Sequence, residues 1–129
     1  METGPLIHVD TNVVIWSYIG QVDILQPVER ILNESSIVVS PMVVLELAYL
    51  HEVNRLSDPP ETIIQILEGL VGLKVSQASF IEVIRQALDV RWTRDPFDRL
   101  IVANALEEGA PLLTKDSTIL RHCPTAFWG

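Results

Sequence analysis

From Arg91 to Asp116 the chain reads as loop, helix, turn and strand, with a carboxylate at the strand's exit, and the rest of the chain is organised around this stretch. Asp95 is a natural N-cap, Pro96 fits the first helical position, and Asp98 stands one turn inside. Leu100, Ile101, Ala105 and Leu106 give an apolar stripe near the 3.6-residue period, and Gly109 stops the helix. Leu112-Leu113-Thr114 reads as a short buried strand, and Asp116 follows it. In an open α/β sheet, helix starts and strand exits tend to share one edge, where ligands bind. Capping alone accounts for Asp95, and Asp98 also fits a first-turn acid favoured by the helix dipole. The remainder of the chain has to decide between these readings.

The same unit recurs upstream. Leu6-Ile7-His8-Val9 is a short, β-branched, apolar run that predicts a buried strand. Asp10 closes it, and Thr11 or Asn12 is placed to cap a helix from Val13 to Ile19 that Gly20 ends. Alternation points His8 with Asp10 or toward the core. Val22 to Asn33 reads as a second helix, with Pro27 near its beginning, and Ile37-Val38-Val39 as a second strand. Ser40-Pro41 then starts a helix to Arg55 that is apolar nearly all round, which predicts burial on most sides. Glu46 stands in the middle of that run. An ionised carboxylate there is costly unless it is exposed, paired, hydrogen-bonded or bound to a cation, and the setting favours a functional role.

After a break at Pro59-Pro60, Glu61 to Leu70 is helical in pattern, with Gly69 and Gly72 ending it. Leu73-Lys74-Val75 is a third strand candidate. Ala78 to Val90 is an amphipathic helix with Phe80, Ile81, Ile84 and Leu88 on one face. Beyond Asp116, Ser117 is placed to cap a single turn to Arg121, and Ala126-Phe127-Trp128 reads as an edge strand. Met1 to Pro5 reads as a loose terminus. The alternation predicts a single domain over residues 1–129, a three-layer α/β/α sandwich around a mostly parallel sheet.

Composition bounds the function. At 129 residues the chain can bury a core without disulfides or a structural metal. The one cysteine, Cys123, has no partner for a disulfide or a zinc site. No apolar run is long enough to span a bilayer, and no signal-peptide pattern opens the chain, so a cytoplasmic protein without a membrane partner is expected. The net charge of −8 argues against nonspecific nucleic-acid binding. Of nine Lys and Arg residues, however, five (Arg91, Arg94, Arg99, Lys115, Arg121) lie between positions 91 and 121. They form either a basic rim around an acidic centre or solvated helix faces.

The unusual carboxylates are Asp10, Glu46, Asp95, Asp98 and Asp116. On the predicted fold they converge, and packed carboxylates need a neutralising partner. Mg²⁺ or Mn²⁺ suits oxygen ligands, and such a site suits phosphodiester hydrolysis. The pieces H-V-D-T-N-V-V-I-W (8–16), S-P-M-V-V-L-E-L (40–47), R-D-P-F-D-R-L-I-V-A-N-A (94–105) and L-L-T-K-D (112–116), in this order and spacing, resemble the PIN-domain family, and within it VapC-type toxins of toxin–antitoxin pairs. The resemblance implies a metal-dependent ribonuclease acting on RNA. It also implies a homodimer and inhibition by a cognate antitoxin.

Carried over, Asp10, Glu46, Asp98 and Asp116 match the family's four acids, as catalytic and metal-holding residues. Asp95 belongs to a D-P-F-D variant, as a supporting group or only a cap. Thr11, Asn12 and Thr114 match polar positions that border the acids, although many relatives carry His at the place of Asn12. Arg94, Arg99 and Lys115 are candidates for RNA phosphates or for neutralising neighbouring acids. Two other readings compete. A phosphoaspartyl phosphatase or phospho-receiver domain would want acids that Asp10-Thr11-Asn12 and Ser40-Pro41 do not supply. A non-catalytic acidic interaction module would bind a basic partner peptide.

Overall fold

Short β-branched runs separated by capped helices build a βα-repeating chain, described by a computed structural model over residues 4–129. In order, the elements are β1 (Leu6–Val9), α1 (Thr11–Ile19), α2 (Val22–Leu25), a 3₁₀ turn (Gln26–Val28), α3 (Glu29–Glu34), β2 (Ser36–Val39) and α4 (Pro41–Glu52). There follow α5 (Pro60–Val71), β3 (Lys74–Val75), α6 (Phe80–Ala87), α7 (Pro96–Glu107), β4 (Leu112–Leu113), α8 (Ser117–His122) and β5 (Ala126–Phe127). The strands form one sheet in the order β3-β2-β1-β4-β5, and every neighbouring pair is parallel. The expected α/β class is what the chain adopts.

Chain order runs outward from β1 in both directions, so the topology reverses between β1 and β4. Right-handed crossovers on either side of that seam lay their helices on opposite faces of the sheet. A crevice then opens beyond the carboxyl ends of β1 and β4. Val9, Val39, Leu112 and Leu113 fill the sheet's centre, and Val13, Val43, Leu47, Ile63, Ile101 and Ile119 pack on it from the helices.

Local expectations meet several corrections. Met1–Thr3 lie outside the described residues, but Gly4 and Pro5 are not loose. The carbonyls of Gly4 and Pro5 accept from the Ser36 hydroxyl (3.1 Å) and N–H (2.8 Å). A Cβ on Gly4 would meet the Glu34 carbonyl oxygen at 1.8 Å, so this close approach requires glycine. The helix expected over 22–33 breaks into three pieces around Pro27, which has no N–H to continue an α-helical ladder. Gly69 stays inside α5, and Gly72, at φ +71°, is the residue that ends it.

Two helix faces also differ from expectation. In α4 only one side is buried, at Val43 and Leu47, whereas Leu45 and Tyr49 are 55% and 50% exposed. The apolar pattern all round that helix does not mean burial all round. In α6 the buried face is Val83 and Ala87 against Ala103 of α7, and Phe80 (70%) and Leu88 (58%) face outward. The small alanines on both helices let the backbones approach, which selects the seam over the larger side chains.

Candidate active site

Asp10 is fixed by the end of β1 and the start of α1. The residue is itself the N-cap of α1, in place of Thr11 or Asn12, because its extended backbone turns a carboxylate oxygen onto the Val13 N–H (3.1 Å). Its other oxygen accepts from the hydroxyl of Thr114 at the end of β4. Asp10 is 7% exposed, and burial pushes its carboxyl up, against the pull of those hydrogen bonds; repulsion from Asp116 adds to the rise.

Asp116 repeats the device across the seam. It caps α8 by accepting from the Ile119 N–H at 2.9 Å, in place of Ser117. Its own N–H donates to Thr114 Oγ1 at 3.0 Å. The buried Thr114 hydroxyl therefore links the two strand exits, donating to one acid and receiving from the backbone of the other.

The other two acids arrive on helices. Ser40 caps α4 through the Met42 N–H (3.1 Å), and Pro41 follows at the first position, which sets Glu46 on the second turn. The Thr11 hydroxyl donates to Glu46, so α1 and α4 are tied beside the crevice. Burial raises the Glu46 carboxyl; Thr11 works against the rise, and Asp95 and Asp10 add to it. Asp95 caps α7, accepting from Phe97 N–H (2.9 Å) and Asp98 N–H (3.4 Å). One turn in, Asp98 is raised from 3.8 to about 7, by burial first and then by the carboxylates of Asp95, Asp116, Glu46 and Asp10.

Asp10, Thr11, Asn12, Glu46, Asp98, Ile101 and Asp116 together line a cavity of about 40 Å³, room for a water molecule or a small ion. A larger cavity of about 360 Å³, lined by Val22, Leu25, Leu32 and Ile37 among others, shares no residue with it. Size does not select the chemical site, because the larger cavity lacks converging acids. Among the described residues no group of three or more His, Cys, Asp or Glu forms a ready-made metal cage. What converges is a set of oxygen donors around a shared space, where burial first and mutual repulsion second raise the Asp98 carboxyl.

The remaining sequence candidates divide. Asn12 lines the cavity from its exposed rim. Asp95 is exposed and outside the lining, and acts on the site through its charge. Arg94 is exposed. Arg99 turns away, its Nε donating to the Ala87 carbonyl at 2.8 Å and tying α7 to α6. Lys115 lies over the Trp128 ring, 6.0 Å from its centroid.

His8 proves to be fully buried, with Nε2 at 2.6 Å from Glu108 Oε1 at the far end of α7. Desolvation lowers its pKa more than Glu108 raises it. A neutral ring donating from Nε2 leaves Nδ1 as a bare lone pair, the buried side-chain atom without a partner among the described residues. Its partner lies 100 residues along the chain, and no local pattern signals that pairing. The pairing of Trp16 with Trp128, edge to face, also has no signal in the sequence, since the two lie at opposite ends of the chain.

Comparison with known proteins follows this geometry. The model of the PIN domain family matches residues 7–123. No curated protein sequence matches the chain. Among solved structures it resembles VapBC2 from Rickettsia felis bound to a promoter DNA fragment, with 19% identity, TM-score 0.66, and 96% of this chain and 97% of that one covered. It also resembles VapBC-1 from nontypeable Haemophilus influenzae (18%, 0.68, 96% of each chain). A toxin–antitoxin complex from Klebsiella pneumoniae is similar as well (16%, 0.66, 94% and 95%). These likenesses extend over nearly the whole sheet and its helices.

Proposed function

The chain belongs to the PIN domain family, and from that membership we propose that it is a divalent-metal-dependent endoribonuclease, the toxin of a toxin–antitoxin pair. The observation that carries this reading is the convergence of Asp10, Glu46, Asp98 and Asp116 on one cavity at the reversal of the sheet. The donor set fits Mg²⁺ or Mn²⁺, since the lining offers carboxylate, hydroxyl and amide oxygens and no thiolate or imidazole. When bound, such an ion offsets the charge of the phosphodiester and acidifies water.

The chain's own groups supply the rest. Thr114 and Thr11 fix the orientation of Asp10 and Glu46. Asp98, its carboxyl raised to about 7, would be held as the carboxylate by a cation in the cavity. Asn12 borders the site on its solvent side. Hydrolysis adds a water oxygen to phosphorus and breaks the bond to the 3′ oxygen, which takes a proton. The products are a 5′-phosphate and a 3′-hydroxyl. Arg94 and Lys115 are exposed and are the candidates to meet RNA phosphates, Lys115 from its place over Trp128, and Asp95 serves as cap and as supporting charge.

A protein antitoxin and a second copy of the chain complete the reading. The first is supported by the toxin–antitoxin complexes that the fold resembles, the second by the outward apolar face of α6. The test is cleavage of an RNA panel by purified, antitoxin-free protein with Mg²⁺, Mn²⁺ or EDTA, alongside Asp10→Asn. Metal-dependent cleavage is expected, with loss of about a hundredfold or more in the variant. Equal activity in the folded variant would sink the assignment.

A second reading, an acidic module that binds a basic peptide without catalysis, draws on exposed Leu45 and Tyr49 flanking Glu46 on α4. It predicts tight peptide binding and no cleavage under any metal.

A further inference from the structure

At the sheet edge that carries the acids, two indole rings and an ammonium meet. Trp16 stands one turn beyond Asn12 on the same face of α1, and Asn12 lines the cavity. Trp128 follows β5, which runs parallel to β4 with Phe127 opposite Leu113. The Phe127 carbonyl accepts from the Thr114 N–H at 3.0 Å, so Trp128 emerges alongside the segment Thr114–Asp116. The two rings pack edge to face, with centroids 6.0 Å apart and planes at 76°. Lys115, between Thr114, which donates to Asp10, and Asp116, which lines the cavity, places its Nζ 6.0 Å from the Trp128 ring centroid.

Packing at the margin of the core explains why the inner parts of both indoles are buried. It does not explain why Lys115, next in the chain to the cavity-lining Asp116, extends over Trp128. Both rings are half-buried and held by each other, so they present a fixed aromatic surface that loses little freedom when something stacks on it. An aromatic face beside a cation is the chemistry that takes an unstacked nucleobase together with its phosphate. A base inside an A-form duplex cannot offer its face, because its neighbours cover it.

We propose that Trp128, braced by Trp16 and accompanied by Lys115, is a stacking platform for an unpaired base next to the scissile phosphate. The assignment of the bound strand as substrate rests on the ribonuclease reading above. The stacking itself does not, and the two are separable by experiment.

The experiment is a titration of indole fluorescence in EDTA, where no cleavage occurs. It uses a Trp92→Phe background, so that of the chain's three tryptophans only Trp16 and Trp128 report. The probe is a short single-stranded RNA, compared with the same strand annealed in a duplex. Quenching by the single strand and little by the duplex is expected. Trp128→Leu should weaken binding about tenfold and raise KM more than it changes kcat, while Trp128→Phe, which keeps an aromatic face, should retain most of the affinity. Circular dichroism checks that both variants fold.

Equal binding by the Leu variant, or equal quenching by the duplex, overturns the platform. So does absence of quenching, even in a protein that cleaves RNA. Quenching that the Leu variant loses, in a protein that cleaves no RNA with either metal, supports the platform and overturns the ribonuclease reading instead.

Discussion

Asp98 shows at residue scale how the site is held. Its carboxyl is raised to about 7 by burial and by four neighbouring acids, so the folded chain binds a proton there more tightly than the unfolded chain. The stability linked to that proton is fully present below the ordinary carboxylate range and is lost as pH rises through about 7. Without metal, the melting temperature should therefore respond differently to pH in Asp98→Asn, which removes this titration. The variant should gain on the parent between pH 5 and 8, by on the order of 1 kcal/mol once screening of a half-exposed group is allowed for. Thermal melts of both proteins across that range check it, and parallel curves would refute it. Buried, neutral His8 has the opposite sign, since its depressed pKa removes stability as pH falls below its ordinary value. That contribution is common to both proteins and cancels in the comparison.

At the scale of elements, the seam between α6 and α7 is built from small residues, with Val83 and Ala87 on one side and Ala103 on the other. Ala103 has no exposed surface, so Ala103→Leu should overpack the seam and cost about 1–3 kcal/mol. A urea midpoint lowered with an unchanged slope would show it; no shift would mean the helices are free to part. The seam also marks where sequence pattern stopped being informative. The period of α6 was legible, but not its phase, because large apolar side chains suggested one face and close backbone approach chose another. Strands and crossovers were legible because β-branched runs and caps are local signals. So was the meeting of Asp10, Glu46, Asp98 and Asp116 on one cavity, since each of these acids is tied to an element end or an apolar run. The identity of two caps was misread by one or two residues: an aspartate leaving a strand already has the extended backbone a cap needs, and so pre-empts Thr11 or Asn12 in one helix and Ser117 in the other. His8–Glu108 was invisible, as its two halves meet only after the whole sheet has formed.

The whole molecule presents two contrasting surfaces. One is the acidic crevice; the other is the α6 face with Phe80, Ile81 and Leu88 turned outward. If that face joins two copies, Phe80→Glu should shift the species seen by light scattering from dimer to monomer and leave the fold intact. A monomer in the parent protein would remove this role from α6. The crevice has a different global property. Asp10 and Asp116 line it, and the same two side chains start α1 and α8. On the proposed ribonuclease reading, chemistry and architecture are thus vested in the same atoms, which restricts how such a chain can decay under relaxed selection. An alanine at either position removes the charge and uncaps a helix together, whereas asparagine removes the charge and still caps. Silenced descendants of this sequence should therefore record their inactivation as Asn at positions 10 and 116, intact in shape and inert in chemistry.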